Sequence, residues 1–386
     1  MLNFFKYINK DNLLVFLLLC SSGNPIFIYS PIVRTLYIIF AIFLLIMSFA
    51  KKTDVFPKFL SYISVFVIIA IFQQAFIPNL SLNSQLFAFI RIFIGVATIR
   101  LLGDRFVNEY VKVMTVVAAI SLVGIAINTL YGMIPGYQTS KIGYSLVLYT
   151  QLYSDFKGLV LRNCGMFWEP GAFQGYLNLA FAFAVLLPDN KLKRISIIIM
   201  SIAILTTFST TGYLVFGLTV IYSLYYMKRS STTVRLICVA AVCILFIQAY
   251  YSLEFLNDKI VDNLVNTDSS QGRVTDYIRY GAVLKDNFLL GINIADEDFY
   301  TGNGLVYMIL YYGGIFVIYY FLKLYNCLRQ EVSLSVAVHL LLVVLLTLQG
   351  EVFMFYPLYL SLPLIVYRFD KPLGYDRNRQ MMVYRS

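Results

Sequence analysis

Apolar runs of membrane-spanning length recur almost from end to end of this chain, at roughly 12–29, 31–50, 59–77, 85–102, 111–131, 171–188, 194–209, 211–227, 233–251, 303–325, 332–349 and 352–367. About 20 apolar residues coiled as a helix match the hydrocarbon core of a bilayer, so the pattern predicts an all-α, polytopic integral membrane protein with about twelve transmembrane helices. Most polar stretches between the runs are short. Segments 132–168 and 252–302 are the exceptions, too long to be turns, and form the expected working surface. Residues 1–386 read as a single transmembrane domain closed by a basic tail over 368–386.

The charges between the runs orient the chain, because loops rich in Lys and Arg are retained on the cytoplasmic side. Lys6 and Lys10 put the N-terminus inside, and alternation then assigns Lys51, Lys52, Arg100, Arg105, Lys191, Lys193, Arg194, Lys228, Arg229, Arg329 and the basic tail to the same side. Both termini are expected in the cytoplasm. The outer segments keep fewer cations and more acids, among them Asp155, Glu169, Asp258, Asp276 and Asp296. An apolar content of 60% with only 13% charged residues excludes a soluble globular domain. The net charge of +10 is dispersed through inner loops and tail, which suits topology and contact with anionic membrane lipids and argues against nucleic acid. Five cysteines without a CxxC pair support neither a disulfide framework nor a metal site. Leu18-Leu19-Cys20 lacks the small-residue context of a cleaved lipoprotein signal, so the first run is expected to remain as a helix.

Chemistry concentrates in Arg162-Asn163-Cys164-Gly165-Met166-Phe167-Trp168-Glu169-Pro170-Gly171, a charged patch leading straight into an apolar run. Arg and Glu beside hydrocarbon need a cavity or a partner. Three helix starts carry Gly or Pro, at Pro170-Gly171, Thr211-Gly212 and Asn303-Gly304, and on the expected topology their free N–H groups face outward, where an anion is favoured. The hydroxyl run Thr206 to Thr211 sits at the same level, although such residues also satisfy backbone groups at helix breaks. In the second outer segment, Gln271 to Leu284 reads as a short helix with Arg273, Asp276, Tyr277 and Tyr280 on one face, and Asp276 is placed either to neutralise Arg273 or to leave it for a ligand. Tyrosines 131, 137, 144, 149 and 153 suit interfacial anchoring, with sugar stacking as the alternative. Arg91, inside the fourth run, either holds a lipid phosphate or braces helices through carbonyls, and bracing is the favoured reading.

The patch from Arg162 to Gly175, followed by Ser209-Thr210-Thr211-Gly212-Tyr213, Gly272-Arg273 and Asn287-Phe288-Leu289-Leu290-Gly291, resembles the bacterial O-antigen polymerase (Wzy) family of the wider O-antigen ligase and polymerase superfamily. The resemblance implies a GT-C-like membrane glycosyltransferase of the bacterial inner membrane, independent of metal and cofactor. Its substrates would be oligosaccharides linked to undecaprenyl pyrophosphate, with a chain-length regulator as a further partner. A growing glycan would leave its lipid carrier at the outer face and join the non-reducing end of a single lipid-linked repeat.

On that reading Arg162 and Arg273 bind the pyrophosphate, since a guanidinium is a planar fork for phosphate oxygens. Glu169 is the first candidate for general base and Glu351 the second. Glu169 also has a structural alternative, as a carboxylate at a helix N-terminus. Trp168 lines the acceptor path or anchors in the interface, while Asn303, Tyr277 and Tyr280 are further substrate-binding candidates. The single histidine, His339, falls between apolar residues and is expected to be packed, which favours polymerase over ligase. A transporter or flippase of lipid-linked oligosaccharide is the alternative outside enzymology.

Overall fold

The computed structural model describes residues 9–50, 56–78, 80–139, 143–152, 161–226, 275–292, 301–367 and 369. The expected span 233–251, most of segment 252–302 including Arg273, and the tail beyond Phe369 lie outside the described residues.

Helices dominate the described residues. They are α1 (Lys10–Ser21), α2 (Pro25–Tyr29), α3 (Pro31–Ala50), α4 (Phe56–Phe76), α5 (Leu82–Leu102), α6 (Phe106–Tyr131), α7 (Pro170–Leu186), α8 (Lys191–Leu205), α9 (Thr210–Tyr226), α10 (Thr275–Arg279), α11 (Gly281–Asn287), α12 (Gly304–Glu331), α13 (Leu334–Gly350) and α14 (Pro357–Ser361). Three stretches are long and apolar enough to cross a membrane, Phe59–Phe76, Leu82–Tyr131 and Gly304–Glu331, and shorter apolar helices accompany them. As one rod, Leu82–Tyr131 would measure about 75 Å, more than twice the hydrocarbon thickness. It is two helices, because Gly103 ends α5 at φ +59° and a 3-10 turn, Gly103–Arg105, starts the next. Exposed Ile39, Ile42, Ile46, Ile68, Ile71 and Phe72 line the outside of α3 and α4, as expected of surfaces solvated by lipid. The chain is a helical membrane protein.

The first and last expected spans are not single helices. The first breaks at Gly23 (φ +141°), and Asn24 restarts the chain by accepting from Ile26 N (3.0 Å) while its amide donates to Val147 O (2.9 Å) and Met166 O (3.0 Å). The last is a string of short pieces, a 3-10 turn over Phe353–Phe355, α14, and a second turn over Leu362–Leu364. Pro357 and Pro363 remove amide donors that a continuous helix needs. Buried tyrosines supply the missing partners: Tyr62 Oη donates to Leu360 O (2.6 Å), Tyr320 Oη to Tyr359 O (2.7 Å) and Tyr312 Oη to Met354 O (2.9 Å), while Leu358 N donates to Ser22 Oγ (3.1 Å). The segment is a mostly buried plug, with Phe355 and Tyr356 half-buried.

A third break lies inside α12, where Gly313 adopts φ +80°. Residues 288–292 pair with the opening: Gly314 N donates to Phe288 O (2.6 Å) and Ile292 N to Leu310 O (2.8 Å). Gln73 closes it from α4, donating to Leu290 O (2.6 Å) and Tyr311 O (2.9 Å). Irregular backbone at membrane depth persists only with such internal partners.

The first outer segment departs from the all-α expectation. Strands β1 (Tyr137–Thr139), β2 (Gly143–Ser145) and β3 (Thr150–Leu152) form an antiparallel sheet in that order, with Tyr137 opposite Ser145 and Tyr144 opposite Gln151. Tyr149 is no lipid anchor, since it is buried with its ring against Gly124 and its hydroxyl accepting from Asn128 Nδ2 (2.8 Å). Tyr137 and Tyr131 are exposed, and Tyr153 lies outside the described residues.

Gly95 on α5 packs against the Pro357 carbonyl, leaving no room for a methyl group. Gly95→Ala is expected to cost about 1–3 kcal/mol of stability. Gly281→Ala, which meets open space, should stay within about 0.5 kcal/mol of the parent. Thermal unfolding of the detergent-solubilised protein measures both.

Candidate functional site

The first turns of α7 and α12 converge on Glu351, the residue that ends α13, and that of α9 on Gly350 beside it. Gly171 of α7 lies against the Glu351 carboxylate, Gly304 of α12 against the Leu348 and Glu351 carbonyls, and Gly350 of α13 against the Thr211 side chain of α9. The three glycine-bearing helix starts singled out in the sequence therefore meet, because only a missing Cβ lets these backbones approach. Glu351 is 7% exposed. Its carboxylate sits beside the first turn of α7, where unsatisfied N–H groups and the helix dipole favour negative charge.

Glu169 is the N-cap residue of α7, yet its side chain makes no capping bond. It turns to Trp168 instead, whose Nε1 donates to Oε1 (2.7 Å). The Glu351 carboxylate thus lies at the helix start that was the structural alternative for Glu169, and Glu169, half-buried, is oriented by its neighbour. Trp168 stacks on Tyr356 with centroids 4.6 Å apart, so it is packed against protein rather than anchored in the interface.

Tyr356 joins the carboxylates to a cavity of about 520 Å³. The charges of Arg91, Glu169 and Glu351 all act on its phenol. Arg34, Arg91, Tyr37, Tyr307, Tyr311 and Gln85 are among the residues facing the cavity. Arg91 lies about 14 Å along α5 from its first residue, and a charge at such depth costs a few kcal/mol, roughly 2.5–3.5 on insertion scales. The bracing role favoured from sequence is not found: among the described residues Arg91 donates to no carbonyl and joins no ion pair, and its guanidinium lies 5.5 Å from the Phe355 ring centre.

Arg162 is half-buried near Tyr213 on α9. Asn163 fixes that stretch, donating to Ser121 Oγ (3.0 Å) on α6 and Thr206 Oγ1 (2.9 Å) at the end of α8. Thr211, two residues before Tyr213 on α9, lies against Gly350 beside Glu351, and the charges of Glu351 and Arg91 both act on Tyr356, so Arg162 and the Arg91 cavity both lie in the neighbourhood of the carboxylates. The hydroxyl run serves the backbone: Thr206 and Thr207 donate to Ala203 O (2.8 Å) and Ile204 O (2.7 Å), and Ser209 Oγ accepts from Gly212 N (3.3 Å).

The other sequence candidates build structure around the site. Asn303 caps α12, accepting from Leu305 N (3.1 Å) and Val306 N (3.2 Å). Asp276 accepts from Thr301 Oγ1 (2.5 Å), which in turn accepts from Asn303 N (3.0 Å), and this chain pins α10 to the start of α12. The expected helix over 271–284 is broken at Tyr280, so Tyr280 is buried against Val306 and Leu310 while Tyr277 is exposed. Burial pushes the Tyr280 phenol above its usual value, and nearby Arg279 pulls it back. His339 is buried and stacked on Tyr222 at 4.1 Å. Among the described residues no group of His, Cys, Asp and Glu gathers to hold a metal ion. Tyr356 and Gln73, central here, escaped the sequence reading because each sits inside an apolar run with nothing local to mark it.

No protein-family model matches the chain, and no curated protein matches it significantly.

The stack of Tyr356 on the single tryptophan is testable by fluorescence. Tyr356→Ala is expected to uncover one face of the indole and shift its emission to longer wavelength, and an unchanged spectrum would contradict the packing.

Proposed function

We propose that the protein is a polymerase of surface polysaccharide in the bacterial inner membrane, with about twelve spans, a GT-C-like architecture, both termini in the cytoplasm and the Glu169 site at the outer face. The observation that carries this reading is the pair of carboxylates, with arginines in their neighbourhood, at the meeting point of three helix N-termini. The basic loop supports the sidedness: Lys193 Nζ donates to Val185 O (2.8 Å) and Leu187 O (2.5 Å), at the opposite end of α7 from Glu169.

In this mechanism Glu169 takes the proton from a hydroxyl at the non-reducing end of a lipid-linked repeat. The freed oxygen attacks the anomeric carbon of the growing glycan, the bond from that carbon to the diphosphate oxygen breaks, and undecaprenyl pyrophosphate departs with the electron pair. Guanidinium groups and helix N-termini stabilise the charge that develops on the leaving group. Glu169 suits the base because its carboxylate is not engaged at a helix terminus, and the Trp168 N–H fixes its direction. Glu351 suits a fixed negative charge that orients the acceptor. Bulk lipid and a chain-length regulator complete the proposed partners.

Broken helices are also a transporter feature, so the Gly23 and Gly313 breaks favour a flippase as the second reading. Elongation of lipid-linked repeats by the purified protein in detergent, where no sealed membrane exists, separates the two.

Glu169→Gln is expected to lower elongation about 100- to 10,000-fold, the usual contribution of a general base, while the unfolding temperature stays near that of the parent. Full activity would exclude Glu169 from that role. Gly171→Ala adds a methyl where the Glu351 carboxylate lies, and that flexible group can move aside. Elongation should fall at least tenfold with little loss of stability, read by the same assay alongside thermal unfolding.

A further inference from the structure

The cavity beside Tyr356 holds two donors that the fold leaves unused. Arg91 makes no hydrogen bond or ion pair among the described residues, although it lies deep along a membrane helix. The Tyr37 hydroxyl on α3 faces the same cavity, is buried, and has no hydrogen-bond partner among the described residues. Arg91 acts electrostatically on Tyr37, so the two groups share one environment. A buried hydroxyl without a partner is costly, a half-buried guanidinium without an acceptor along an apolar helix is costly too, and one anion relieves both. Among the described residues no carboxylate forms an ion pair with Arg91.

The walls say what kind of anion fits. The volume of about 520 Å³ falls in the range of small-molecule sites. Gln85, Ser84 and Tyr307 add further polar groups around the cationic centre, while Phe27, Leu80 and Phe87 make part of the wall apolar. Arg34 faces the cavity and is exposed, which puts an opening between α2, α3 and the start of α5. Leu36, Leu82 and Leu86 are exposed beside that opening, on surfaces that lipid solvates. A polar, cationic chamber reached from a lipid-covered face matches an amphiphile with an anionic head.

We propose that this cavity binds the phosphate head of a membrane lipid, held by Arg91 and Tyr37, with the lipid chain leaving past Arg34 between α3 and α5. The polymerase reading bears on this only in naming the lipid, since that reaction takes two lipid-linked substrates and so needs a second phosphate site besides the one proposed at Arg162. Arg91 is then a substrate-binding residue in addition to Arg162.

Trp168, the single tryptophan, stacks on Tyr356 at the cavity wall and reports occupancy directly. The full chain in phosphatidylcholine nanodiscs is titrated with undecaprenyl diphosphate, undecaprenol, phosphatidylglycerol and inorganic diphosphate while tryptophan emission is followed. The diphosphate lipid is expected to bind saturably and at least tenfold tighter than undecaprenol. Arg91→Met should weaken that binding at least tenfold and Tyr37→Phe severalfold, with undecaprenol affinity unchanged. Equal affinity of the parent protein for undecaprenol and its diphosphate overturns the proposal without reliance on any variant, and so does undiminished binding by a folded Arg91→Met protein. Arg91-dependent binding of phosphatidylglycerol at the same strength supports the phosphate site and makes bulk lipid its occupant. Inorganic diphosphate binding as tightly as the lipid overturns the lipid part. Because binding is read without turnover, loss of this proposal leaves the Glu169→Gln elongation result standing, and failure of the polymerase reading leaves the binding result standing.

Discussion

Everything in this fold answers to one constraint: hydrocarbon offers no hydrogen bonds, so each polar group within the membrane must find its partner in the protein. Most of the described helices meet that demand through their own ladders. Three places do not, at Gly23, at Gly313 and through the plug from Phe353 to Leu364, and side chains close each of them: Asn24 at the first, Gln73 at the second and buried tyrosines along the third. Tyr62, Tyr312 and Tyr320 are therefore parts of the backbone hydrogen-bond network as much as of the apolar core. Gln73 does the same work for two carbonyls at once.

The breaks matter because of what surrounds them. Helices that start inside the protein bring free N–H groups to a shared point, and small residues let those starts touch. Gly171, Gly304 and Gly350 turn three separate helix ends into one polar junction around Gln349-Gly350-Glu351. One carboxylate settles against a helix start and the other is held aside by an indole N–H, so two chemically similar groups acquire different surroundings within a few residues of each other. The Arg91 cavity lies against this junction through Tyr356.

Much of this was legible along the chain. Apolar run length identified the membrane class and the position of most helices, and the helix starts at Pro170, Thr210 and Gly304 fell beside the expected Gly and Pro. The oddity of Arg91 inside an apolar run was visible, but its surroundings were not. Helix periodicity was misleading over 271–284, because Tyr280 is drawn into the cluster of Val306 and Leu310, which ends one short helix and begins another. The small β-sheet escaped notice since three-residue strands leave almost no periodic signal.

By itself, the sequence determined that this is a membrane protein, where most of the described helices lie, and which charged residues demand an explanation, because transfer from water to hydrocarbon acts on each local stretch independently. Only the tertiary structure decided that the run 352–367 is a string of short, mostly buried pieces and not one continuous helix, that the Glu351 carboxylate and not that of Glu169 lies against the start of α7, and that Tyr37 and Tyr356 share a cavity with Arg91. An apolar segment looks the same whether lipid or protein surrounds it, and hydropathy cannot tell the two apart. Which groups end up without a partner depends on packing between residues far apart in the chain.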